Sequence, residues 1–277
     1  MTRESASPSG LTAAERMIRR ERWIIIAGLF VITFLSWAYV LSGAGTGMST
    51  RAMTTFTFPP PARMGMAMDW SLSYAFIMLM MWWVMMIAMM TPSAAPLILL
   101  YGTAYRNEQK KGRLGAATAP TFAFLAGYLV AWLGFSVVAM SLQWLLERLG
   151  LVDSMMMWST NRQLSAVLLI AAGLYQLSPW KNACLAHCRS PAAFLAEHFR
   201  PGAAGALRMG LLHGAYCLGC CWVLMALLFA GGIMNVVWIA GLAIFVLLEK
   251  VLPWGVVFSR ISAAVFLALG LWLLLTP

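Results

Sequence analysis

Three thiols and an imidazole recur within one apolar stretch, Met209-Gly-Leu-Leu-His213-Gly-Ala-Tyr-Cys217-Leu-Gly-Cys220-Cys221-Trp222. At about 100° per residue, Met209, His213, Cys217, Cys220 and Cys221 fall within roughly 120° of arc on one helical face. Ionisable groups at membrane depth are expensive, and several on one face point to a bound ion. Packing is the competing account, because a buried cysteine is also a small hydrophobe. A second group, Cys184-Leu-Ala-His187-Cys188, spaces two thiols and an imidazole at i, i+3 and i+4. On a helix these converge well enough to hold one metal ion. An amphipathic surface helix with incidental cysteines is the alternative. Pro191 and Pro201 interrupt the chain between the two groups, so two separate sites are expected.

Thioethers accompany the thiols. Met78, Met81, Met85 and Met89 form a stripe at helical spacing, which by itself reads as adaptable core packing. Met64, Met66 and Met68 alternate in a preceding loop, and Met155, Met156 and Met157 occupy another. Soft sulfur donors select Cu(I) over harder ions, and Cys/His sets leave zinc possible. In this reading Met64, Met66 and Met68 capture the ion and Met81, Met85 and Met89 relay it. Cys217, Cys220 and Cys221, with His213, hold it, and Cys184, His187 and Cys188 exchange it with a metal-carrying protein in the cytosol or periplasm. The spacing Cys217-x-x-Cys220 leaves open a membrane thiol–disulfide oxidoreductase, with Cys221 or Cys184 as the resolving thiol and a quinone as partner. An assembly factor that inserts copper into another enzyme is a third possibility.

These residues need a scaffold, and composition defines it. Of 277 residues, 62% are hydrophobic and 10% charged, far below the charged share of about 25% that a soluble domain carries. Apolar runs near Trp23–Leu41, Trp70–Met90, Pro120–Leu146, Leu164–Leu177, Ala203–Phe229, Val236–Leu252 and Val256–Leu275 give an all-α polytopic transmembrane bundle of about seven spans. Pro92 and Pro96 interrupt an apolar stretch that continues to Tyr105, which predicts an overlong helix. The stretch 179–201 is amphipathic and reads as interfacial. Residues 1–22 form a polar tail and 23–277 a single membrane domain. The run at 23–41 exceeds a signal-peptide core of about 7–15 residues and reads as an uncleaved span.

Charge sets the orientation. With the amino terminus cytosolic, fifteen of the nineteen Lys and Arg face the cytosol, and Arg51, Arg63, Arg148 and Arg162 lie outside. The +10 net charge is thereby accounted for without nucleic acid. Five cysteines cannot all pair, and they crowd into 38 residues, unlike a secreted disulfide framework. No phosphate-binding loop or serine nucleophile motif occurs. Glu249 is the acidic residue read as lying near a span, and beside Lys250 it suggests an ion pair or interfacial anchor. So few carboxylates exclude hard-ion transport.

Four blocks carry a family resemblance. They are Trp82-Trp83-Val-Met-Met-Ile-Ala-Met-Met-Thr91-Pro92-Ser-Ala-Ala-Pro96, Tyr175-Gln176-Leu-Ser-Pro179-Trp-Lys181-Asn-Ala-Cys184-Leu-Ala-His187-Cys188-Arg189-Ser-Pro191, His213-Gly-Ala-Tyr-Cys217-Leu-Gly-Cys220-Cys221-Trp222 and Glu249-Lys250. In this order, within residues 70–265, they resemble the predicted metal-binding integral membrane proteins, a bacterial family defined by a domain of unknown function. The resemblance implies a helical fold in the bacterial inner membrane and a bound metal, often taken to be copper. It supplies no activity, and residues 1–69 match none of the blocks.

Overall fold

The computed structural model describes residues 13–60, 69–112 and 119–276. Helix follows helix: α1 (Ala13–Leu41), α2 (Leu72–Lys110), α3 (Ala119–Arg148), α4 (Arg162–Leu177), α5 (Pro179–Arg189), α6 (Pro191–His198), α7 (Gly202–Ala226), α8 (Leu228–Gly231), α9 (Val236–Val251) and α10 (Gly255–Leu275). The described residues form no strand, only an isolated bridge between Val152 and Ser159. Helix starts are written into the sequence. Ser71, Asn161 and Asn235 each accept a backbone N–H of the turn they open, and Pro179 and Pro191 occupy first helical positions that need no donor.

Among the described residues, five helical stretches are long and apolar enough to cross a membrane: Arg22–Leu41, Leu72–Gln109, Pro120–Arg148, Gly202–Gly231 and Gly255–Leu275. The expected fourth and sixth spans, α4 and α9, have only 16 residues each. α1 begins at Ala13, so the helix runs back into the expected polar tail. α2 continues through both prolines for 39 residues, about 58 Å. Each proline lacks the N–H that would bond the carbonyl four residues earlier, at Ala88 and Pro92.

Sides of the bundle are inverted relative to a water-soluble protein. Phe30, Phe34, Val138, Leu145, Ile261 and Leu271 are exposed, whereas Lys181, Glu249, Lys250 and His213 are buried. Such a surface suits lipid. The tightest packing joins α3 to α7, where a Cβ on Gly210 would collide with the Phe124 carbonyl. Gly210 therefore brings the two backbones into contact, as expected of a small residue on that face.

Loops gather at two ends. At one end Ile233 N donates to Met157 O (2.8 Å), Ser159 N to Phe229 O (2.9 Å) and Asn235 Nδ2 to Thr55 O (3.0 Å). At the other, Arg189 donates to the carbonyls of Leu252 (2.7 Å) and Pro253 (2.8 Å). α9 ends at Val251, just before the carbonyls that Arg189 holds, and the segment 179–198 follows α4 at this end. The expected interfacial segment is thus packed inward: Lys181, Leu185, Phe194 and Leu195 are buried, and α5 lies against α7.

Candidate metal centre

Cys217 is the hub. It sits in the middle of α7, fully buried, because Gly210 and Gly214 let α3 close over that face. The Tyr128 hydroxyl of α3 lies 3.2 Å from its Sγ and donates to the Met90 carbonyl of α2, also at 3.2 Å. Lys250, next to last in α9, brings Nζ to 2.9 Å from the same sulfur and donates to Ser93 Oγ at 3.1 Å. α7, α3 and α9 thus meet at one sulfur, and α2 lies one hydrogen bond further away.

The other thiols crowd around it. Cys220 and Cys221 donate from Sγ to the Cys217 carbonyl at 3.1 and 2.9 Å, the back-bonding a short polar side chain makes on a helix. Cys188, carried by α5, lies beside Cys217 and Cys220, and contact with them, together with burial, holds its thiol well above the usual thiol range. Cys184 Sγ would stand 2.6 Å from a Cβ on Gly219, so only glycine admits it there. Burial pushes the Cys184 thiol up, and nearby Cys220 adds to the shift. The intervening prolines do not keep the two groups apart in space, since Cys188 lies beside Cys217 and Cys220. Pro191 and Pro201 turn the chain so that α5 folds back onto α7.

The imidazoles are placed differently. His213, one turn before Cys217, is enclosed by Phe124, Tyr128 and Phe194 with ring centroids 6.3, 5.7 and 5.4 Å away, and its Nδ1 has no hydrogen-bond partner. His187 lies flat on Tyr216, centroids 4.2 Å apart, with Nδ1 2.9 Å from the Ala183 carbonyl. Met81, Met85 and Met89 are all buried on α2, between its first turns and Met90, whose carbonyl Tyr128 links to Cys217. Met155 is exposed and Met157 buried, and Met64, Met66 and Met68 lie outside the described residues.

Charge in the vicinity was missed by sequence reasoning. Glu249 pairs with Lys181 (Nζ to Oε1 2.6 Å), not with its neighbour Lys250. Gln176 accepts from Lys181 and donates to Ser262 Oγ at 2.9 Å, tying α4, α5, α9 and α10 together beside the thiols. Glu147 is a further carboxylate inside a span-length helix, although Glu249 alone was expected near one.

Among the described residues no three His, Cys, Asp or Glu side chains stand ready-made around one point. Two of the thiols point at their own helix backbone, so a χ1 rotation separates this arrangement from a converged one. The donor set itself is soft, buried and rich in sulfur, and it fits copper.

Fold and side chains together describe a helical bundle with a buried cluster of thiols. The chain belongs to the PpoB2 copper chaperone family, whose model matches residues 79–273, from the first turns of α2 to the end of α10. No curated protein and no solved structure matches it.

Proposed function

We propose that the protein is an integral membrane carrier of Cu(I), with Cys217, Cys220 and Cys188 as the retaining ligands. The observation that supports this most directly is the meeting of Cys188 from α5 with Cys217 and Cys220 from α7. Sulfurs from two elements give the ion ligands that separate when one element moves. Cys221 and His213 are reserve donors, and Cys220, like Cys221, turns away from the Cys217 carbonyl to reach the ion. Lys250 faces the site with a donor, so it balances an anionic thiolate complex that apolar surroundings would otherwise penalise. Met81, Met85 and Met89 conduct the ion from the outer end, because thioethers hold Cu(I) without adding charge. Cys184 and His187, nearer the edge of α5, hand it to a soluble partner at the inner end.

The bundle crosses the bilayer seven times in this reading, with α4 and α9 as short crossings and the amino terminus in the cytosol. The fifteen-to-four distribution of basic residues supports that orientation.

Anaerobic purification with metal analysis and X-ray absorption tests the assignment. Wild-type protein is expected to hold copper with sulfur neighbours, and the Cys217→Ser/Cys220→Ser variant to lose it. Cys188→Ser is expected to weaken binding at least about tenfold, or about 1.4 kcal/mol, while Cys184→Ser changes it less than about twofold. Full copper content in the double variant would overturn the ligand set. Thiol contact also favours the second reading, a thiol–disulfide oxidoreductase. Redox cycling by protein free of metal would establish it.

A further inference from the structure

Beside the start of α7 lies a groove of about 390 Å³ that the thiol cluster does not use. His198, Arg200 and Arg208 line one part of it, and Leu211, Leu212 and Ala215 line another. Gly202, with a φ of +79°, turns the chain from α6 into α7. The turn is anchored, because the Arg200 backbone N–H donates to Sδ of buried Met209 at 3.2 Å. Arg200 is thereby brought back to the turn of α7 that carries Arg208. Both arginines are exposed, and among the described residues no carboxylate pairs with either. Glu197, itself exposed, stands 3.9 Å from His198 Nδ1 instead. Lys181, Arg189 and Lys250 differ, since each is engaged within the protein.

The rest of the groove has another character. From Arg208 to Ala215 it follows α7 for seven residues, about 10 Å. This part of α7 belongs to the span-length apolar stretch Gly202–Gly231. Leu211 is exposed, and the single methyl of exposed Ala215 leaves room beside it.

We propose that the groove binds one anionic phospholipid, with its phosphate between Arg200 and Arg208 and an acyl chain along Leu211, Leu212 and Ala215. A guanidinium offers paired N–H donors that match phosphate oxygens, and basic pockets among membrane helices suit anionic head groups. An acidic peptide or inorganic phosphate satisfies the arginines but leaves the apolar floor without a partner. A zwitterionic lipid covers the floor but brings its ammonium group toward two cations. The site depends on α7 lying in a bilayer, and not on the copper ligands proposed above.

Full-length protein in neutral detergent micelles, supplied with equal amounts of phosphatidylglycerol and phosphatidylcholine, tests this by native mass spectrometry. Wild type is expected to retain one phosphatidylglycerol about tenfold over phosphatidylcholine, with the preference falling as salt rises. Arg200→Gln/Arg208→Gln is expected to bind both lipids equally. Its copper content and its thermal unfolding in lipid-free detergent should stay unchanged. Ala215→Phe fills the floor and keeps the cations, and it is expected to lower phosphatidylglycerol retention severalfold. Equal retention of the two lipids by wild type, or an undiminished preference in the double Gln variant, would overturn the site. Retention blind to Ala215→Phe would overturn the lipid as occupant, and displacement by oligoglutamate would then assign the arginines to an acidic protein segment. Release of the wild type from membranes by alkaline carbonate would overturn the bilayer reading and this site with it. Failure of the lipid site alone leaves the protein embedded.

Discussion

Lys250 and Glu249 are neighbours in the chain but serve different parts of the molecule. Consecutive residues on a helix diverge by about 100° and do not face one another. Glu249 accordingly turns to Lys181, and Lys250 to Cys217 and Ser93. Removing one member of a buried pair strands the other, so Lys181→Met should destabilise the protein by roughly 3–5 kcal/mol. The double variant Lys181→Met/Glu249→Leu should regain most of that loss, as thermal unfolding in detergent would record. The sulfur chemistry was legible in the residues themselves, because thiols at i, i+3 and i+4 on one face can be read from spacing. Lys250 was not, since a lysine at the end of an apolar run looks like an interfacial anchor. Cys184 carries a second expectation. Its raised pKa leaves less thiolate at a given pH, so alkylation should be slower than for free cysteine and should rise through a higher pH range. Rates of maleimide labelling across pH, in a variant with Cys184 as the remaining cysteine, would measure this.

The elements that hold the site are of two kinds. α3 and α7 are long and pressed together through Gly210, and their apolar runs announced them in the sequence. Gly210→Ala would drive a methyl group into the Phe124 carbonyl and should cost about 1–3 kcal/mol, the usual penalty of overpacking. Lower thermal stability with copper stoichiometry intact in the surviving protein is the expected outcome. α5 and α6 are short, at 11 and 8 residues, and too brief for periodicity to reveal which way they face. Lys181 and Arg189 gave that stretch the look of a surface helix. Its inward packing depends on contacts with α7 and α9, which no local pattern encodes. Glu147 escaped notice for a similar reason. It stands in the last turn of α3 beside Arg148, where charge is ordinary, and only the approach of Trp70 and Gln143 draws it into the bundle.

At the scale of the molecule, apolar runs and basic loops were enough to outline a helical bundle and its two ends. The orientation is open to direct measurement. A single cysteine placed in the 106–112 region of a cysteine-free variant should react with an impermeant reagent from the cytosolic side, and one at Ser49 from the opposite side. What hydropathy could not convey is that α4 and α9 differ in kind from the other helices. At 16 residues they extend about 24 Å, against a hydrocarbon core of about 30 Å. As the short crossings proposed above, they would require the bilayer to thin or the helices to shift, at a cost of fractions of a kcal/mol per Å. α9 ends beside Cys217, at Lys250, and α4 ends where Tyr175 reaches the Gly219 carbonyl of α7. In that reading lipid thickness bears directly on the groups proposed to hold the metal. In proteoliposomes of increasing acyl-chain length, copper transfer to an external chelator should change severalfold, whereas in detergent it should not vary. The protein would then deliver its cargo differently in thin and thick regions of the same membrane.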